Sequence, residues 1–149
     1  MYQRILAPVD GSGASDLALQ EAIRLAKDQQ AQLRILHVVD TVTVNWDTEF
    51  GNIGDILETL RKAAESILAR AEDMARQAGI AAETRLVEMK TLPERIPAKI
   101  VEEADLWPAD IIVIGTHGRH GLNRLLMGSV AEGVARISPK PVLLIRAQA

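Results

Sequence analysis

Five short apolar runs separated by helix-length segments constrain this chain more than any other feature. The runs are Ile5–Val9, Leu33–Val39, Thr84–Val87, Ile111–Ile114 and Val142–Ile145. Between the first two, Leu19, Ala22, Ile23 and Ala26 recur at helical spacing, and the helix ends around Gln29. Ile56–Ala78 carries one apolar stripe through Leu60, Ala64, Ile67, Leu68 and Ala71. A third helix is predicted to start at Pro97, with Ile96 pushed out of helical geometry, and to stop at Pro108. Val130–Ile137 makes a fourth. Strict alternation of this kind implies parallel strands, right-handed crossovers and helices on both faces of the sheet. Leu33–Val39 is nearly all apolar, as a strand buried on both faces should be. Thr84–Val87 has charged neighbours and reads as an edge strand. The expected fold is therefore α/β and Rossmann-like: one domain over residues 1–149, with an open five-stranded parallel sheet.

Composition narrows the function. Aromatic residues make up 3% of the 149, too few for a base-stacking nucleic-acid surface. The net charge of −3 gives no general attraction to nucleic acid or to anionic membrane. The absence of cysteine removes thiolate chemistry and cysteine zinc sites. No basic leader precedes an apolar run, and no stretch approaches a membrane span, so a cytoplasmic location is expected.

In sheets of this class, ligands bind at the carboxyl ends of the strands where the winding reverses. Only two strand ends here carry glycine-rich turns. One is Asp10-Gly11-Ser12-Gly13. The other runs from Gly115 through Gly118 to Gly128-Ser129, between the Ile111–Ile114 run and the last helix. Such a loop can aim backbone N–H groups at an anion, and the helix dipole adds to the attraction. The same glycines also serve any tight turn. Ser129-Val130-Ala131-Glu132 has the spacing of a capping box, so Ser129 can cap the helix as well as touch a ligand. Asp10, Ser12 and Ser15 are alternative caps for the first helix. A P-loop would need lysine before Ser129, where Gly128 and Met127 stand instead.

The Gly115–Gly118–Gly128–Ser129 spacing, the opening I-L-A-P-V-D-G-S, the L-H-V-V run and the closing K-P-V-L-L-I resemble the ATP-binding branch of the universal stress protein family along the whole chain. That resemblance implies the strand order 3-2-1-4-5, ATP between the first and fourth strands, and dimerisation, often through the fifth. It makes Gly115, Gly118, Gly128, Ser129 and the Val130 N–H phosphate contacts, and Thr116 and Arg119 of the same loop are counted among the cofactor-binding residues. It places Asp10 on the ribose or a phosphate-bound metal, and adenine among Ala7, Pro8, Val9, Val38 and Val39, with Pro8, Val9 and Val38 the chosen contacts. Two departures stand out. Trp107-Pro108 replaces more polar residues before the fourth strand, and Gly133 interrupts the last helix, where close packing is the simplest reason.

His37 reads as a hydrogen-bonded structural histidine. His117, Arg119, His120 and Arg124 either offset phosphate charge or are solvated. No cluster suits a dedicated metal site, so Mg²⁺ or Mn²⁺ would arrive on the phosphates. The leading expectation is an ATP-binding regulatory protein with a role in stress response. The alternatives are slow ATP hydrolysis, for which no catalytic base is evident, and a module that dimerises through Val142–Ile145 without nucleotide. The segments Asp40–Gly54 and Arg119–Met127 are the candidate moving parts.

Overall fold

A computed structural model describes residues 1–40, 53–89, 95–117 and 127–146. Residues 41–52 of the Asp40–Gly54 segment, residues 90–94, and the glycine-loop interior with Gly118, Arg119, His120 and Arg124 lie outside the described residues. In chain order the elements are β1 (Arg4–Pro8), α1 (Gly13–Gln29), β2 (Gln32–Asp40), α2 (Ile53–Gln77), β3 (Glu83–Met89), α3 (Ile96–Leu106), β4 (Ile111–Gly115), α4 (Ser129–Ile137) and β5 (Val142–Ile145). The strands form one parallel sheet in the order β3-β2-β1-β4-β5.

The two-residue period of the strands divides the core. Ile5 and Ala7 of β1 with Val9 just after it, Leu33 and Ile35 of β2, and Ile111 and Val113 of β4 pack beneath α1 and α2, against Ala22, Ile23, Leu68 and Ala75. Leu6, Leu36, Ile112 and Ile114 face the other way, onto Ile100 and Ala104 of α3 and Val134 of α4. Each face is thus covered by a helix pair, and the central strands need apolar residues at every position.

Several boundaries differ from the sequence expectation. The α2 helix starts at Ile53, three residues before Ile56, so Gly54 is helical and ends no loop. Asp55 lies in its first turn, where the helix dipole favours a carboxylate. The β3 strand runs past the expected Thr84–Val87 at both ends, from Glu83 to Met89. Its register with β2 continues to Asp40↔Met89. Near its start, Arg34 Nη2 meets Glu83 Oε2 across the strands at 2.7 Å. The β3 strand is nevertheless an outer strand, as its charged residues indicated.

Ile96 is the first residue of α3 and is not displaced by Pro97; Arg95 before it is the extended one, at φ −126° and ψ 149°. A proline in the first turn removes an N–H that has no intrahelical partner there, so the helix tolerates it. Trp107 closes α3 and lies half-buried against the α3–α4 core, with the Arg34 guanidinium 4.7 Å from its ring centre. The unexpected tryptophan therefore covers the β2 ion pair. Asp110 fastens the start of β1 to the turn before β4: its Oδ2 accepts from Gln3 N and Arg4 N at 2.7 and 2.9 Å. Those two backbone donors hold the carboxyl below the usual carboxylate range.

Gly133 has the reason its position suggested. A methyl group there would lie 2.6 Å from Cγ and 2.7 Å from Cβ of Pro97, so α4 rests on the ring of α3. Gly133→Ala should destabilise the protein by up to about 2 kcal/mol in urea denaturation. Overpacking of roughly 1–3 kcal/mol against a rigid ring outweighs a propensity gain of about 1. A variant as stable as the parent would mean that the two helices separate freely.

Candidate functional site

The winding of the sheet reverses between β1 and β4, and the candidate residues gather at the carboxyl ends of these two strands. On the β1 side, Val9 N–H donates to Leu36 O at 2.8 Å, continuing the β1–β2 ladder. The Val9 carbonyl lies 2.6 Å from His37 Nδ1. His37 is thus the hydrogen-bonded structural histidine expected, and it ties β2 to the residue before Asp10. Asp10 follows in a tight polar turn. Its N–H donates to Ser15 Oγ at 3.0 Å and its Oδ1 accepts from Ser12 N at 2.9 Å. Gly11 turns the chain at φ 84°, a conformation that side chains resist. Of the three possible caps for α1, Ser12 is the one used: its Oγ accepts from Ser15 N at 3.2 Å. Ser15 is buried and holds Asp10 instead, a role that nothing in its sequence context signals.

On the β4 side, Gly115 passes so close to α1 that a methyl group would lie 2.8 Å from Ala14 O. This glycine is needed for backbone contact between β4 and the first turn of α1, and not for positive φ. Thr116, only 6% exposed, joins three elements. Its N–H donates to Ile145 O of β5 at 2.9 Å, its carbonyl accepts from Gly128 N–H, and its Oγ1 lies 2.9 Å from His117 Nδ1. The Gly128 bond draws the far end of the glycine loop back to β4.

The capping-box expectation for Ser129 is wrong. Gly128 occupies the cap position with φ −63° and ψ 153°, no side chain caps the helix, and exposed Ser129 is its first residue. The pattern fails because the chain enters the helix one residue earlier than a serine cap requires. The first helical bond is Glu132 N to Gly128 O at 3.0 Å. The N–H groups of Ser129, Val130 and Ala131 therefore have no intrahelical acceptor, and among the described residues none accepts from them. In α1 the Ser12 side chain serves that end; in α4 the end is open, which favours an anion.

Residues 1–146 of the 149 match the universal stress protein family. The chain belongs to that family. A universal stress protein of Methanocaldococcus jannaschii is 35% identical over 98% of this chain and 83% of its own. Two solved universal stress proteins are similar in fold. One, solved in complex with cAMP, has TM-score 0.73 at 28% identity, covering 99% of each chain. The other, from Archaeoglobus fulgidus in complex with dAMP, has TM-score 0.70 at 27% identity, covering 97% of this chain and 98% of that one.

The expected site residues fall into three sets. Asp10, Gly115, Thr116, Gly128, Ser129 and Val130 stand at the ends of β1 and β4 and the start of α4. Pro8 and Val9 are buried; Val9 belongs to the core under α1 and α2, whereas Val38 packs on the α3–α4 side. The two valines thus lie on opposite faces of the sheet. Gly118 and Arg119 lie outside the described residues. Gly115→Ala should lower stability by about 1–3 kcal/mol because backbone, not a mobile side chain, fills the space. Chemical denaturation tests this, and an unchanged midpoint would mean that β4 and α1 move apart.

Proposed function

We propose that this protein binds an adenine nucleotide, with ATP the ligand, and that occupancy regulates its partner surface in a stress response. The uncapped N-terminus of α4 carries the reading. The Gly128–Thr116 bond draws it to the end of β4, next to β1, the strand that leads to Asp10. Phosphate oxygens suit its free N–H groups and dipole. The Asp10 carboxylate suits ribose hydroxyls, and Pro8 and Val9 at the end of β1, with Val38 near the end of β2, suit adenine. The relatives solved with cAMP and dAMP support an adenine nucleotide as the class. Among the described residues no group of three or more His, Asp or Glu side chains is placed to hold a metal. Mg²⁺ or Mn²⁺ would therefore be held chiefly by the phosphates, with Asp10 the nearest protein carboxylate in this scheme. Release of nucleotide as ATP or as ADP from purified protein separates simple binding from slow hydrolysis.

Ser129→Pro is a direct probe. Proline suits the first helical position, and Gly128 already has the extended conformation that a residue before proline requires. The helix should persist while one N–H and one hydroxyl are lost. ATP affinity by calorimetry should fall roughly 10–100-fold, the cost of hydrogen bonds to a charged group. Unchanged affinity in a folded variant would remove the α4 terminus from the site.

The homodimer belongs to the same proposal. Val142–Ile145 forms an outer strand, and Leu143 is 38% exposed. An apolar edge of this kind pairs readily with a second copy. Light scattering should give twice the monomer mass, and Leu143→Lys should shift the protein toward monomer. No helix among the described residues is long and apolar enough to cross a membrane.

A further inference from the structure

The turn that carries Asp10 is rich in glycine. Gly11 sits at φ 84°, and a methyl group added at Gly13 would meet nothing within 4 Å. Two glycines so close together leave the backbone many ways to point the carboxylate. Asp10 is oriented by the start of α1, its N–H donating to Ser15 Oγ and its Oδ1 accepting from Ser12 N. That end of α1 is gripped by α2 at two points about one helical turn apart. Arg70 Nη2 reaches both carboxylate oxygens of Asp16, at 2.7 and 2.8 Å. Asp16 N–H in turn donates to Ser12 O at 3.0 Å. Ile67, on the same side of α2, lies over Gly11, where a methyl group would stand 3.2 Å from its Cγ1.

We propose that Ile67 and Arg70 are positioning residues: α2 holds the Asp10 turn, and with it the carboxylate, in the orientation that selects the ribose hydroxyls of the nucleotide. The inference rests on the nucleotide reading above and adds to it residues of an element outside the candidate site. Neither side chain touches the ligand. Arg70 acts through Asp16 and the cap of α1, and Ile67 acts through Gly11. A carboxylate that accepts from two hydroxyls at once is sensitive to small displacements, because hydrogen bonds weaken steeply with angle. The Arg70–Asp16 pair is partly exposed, with side chains 54% and 30% accessible. Such a pair adds little to stability, so its loss should show in ligand selection more than in folding.

The test compares ATP with its 2′,3′-dideoxy analogue, which keeps the base and the phosphates and lacks both ribose hydroxyls. Wild type should prefer ATP, and Asp10→Ala should abolish the preference. Arg70→Met should cut the preference by about twofold to fivefold, the range that an exposed ion pair can contribute, with affinity for the analogue and the urea midpoint nearly unchanged. Arg70→Lys keeps a cation for Asp16 and should restore most of the preference. Ile67→Ala should lower it in the same direction, with folding checked by circular dichroism. Added salt screens the exposed pair, so it should lower the wild-type preference and leave that of Arg70→Met alone. Equal loss for both nucleotides, or a preference untouched by Arg70→Met and Ile67→Ala, overturns the proposal while nucleotide binding itself stands. A wild type without the preference, or Asp10→Ala that keeps it, overturns it by removing Asp10 from the ribose. Wild type that binds no nucleotide refutes the nucleotide reading and this inference together.

Discussion

The hydrogen bond from Gly128 N–H to the Thr116 carbonyl is the contact on which the candidate site depends. It closes a long loop at its base, so that α4 begins beside β4. Thr116 is fixed in place by its other polar groups: its N–H donates to Ile145 O of β5, and its hydroxyl lies 2.9 Å from His117 Nδ1. One buried residue thereby joins the sheet edge, the last helix and the turn where the winding reverses. The free N–H groups of α4 are useful only because they are held in that position.

The glycines of this chain have different physical reasons. Gly11 needs a positive φ that a side chain would oppose. Gly115 and Gly133 are required where a methyl group would meet Ala14 O or the Pro97 ring. Gly128 has an ordinary extended backbone and contributes by leaving the helix end bare. A spacing of glycines therefore marks a place in the chain, while the contacts of each one show what it is for. At Gly115 the structural need for close packing stands alongside any approach of phosphate.

Much of the fold was legible. Apolar runs such as Ile111–Ile114 and the stripe through Leu60, Ala64 and Leu68 have periods that only a strand and a helix can satisfy. Their alternation leaves little besides a parallel sheet. Boundaries were less legible at Ile53, Ile96 and Met89, because terminal residues depend on dipole, cap and cross-strand contacts more than on periodicity. The candidate site is visible in the sequence as two turns, Asp10–Gly13 and Gly115–Ser129. Ser15 was not, since a serine in the first turn of a helix looks like any other until its hydroxyl is found on Asp10 N. The Ser129 cap misread one residue of register, which shifts the role of every residue after it.

By itself, the sequence determined the α/β class, the parallel sheet and the family to which the chain belongs, because these follow from local periodicity and from motifs contiguous in the chain. The tertiary structure decided which residues gather at the candidate site and, among the described residues, which buried nitrogen lacks a partner. Asp10 and Ser129 come from turns more than a hundred residues apart in the sequence, and only the adjacency of β1 and β4 brings those turns to one end of the sheet. The orphaned Nε2 of His117 likewise exists only after folding, because a donor is without a partner only once burial has taken water away from it.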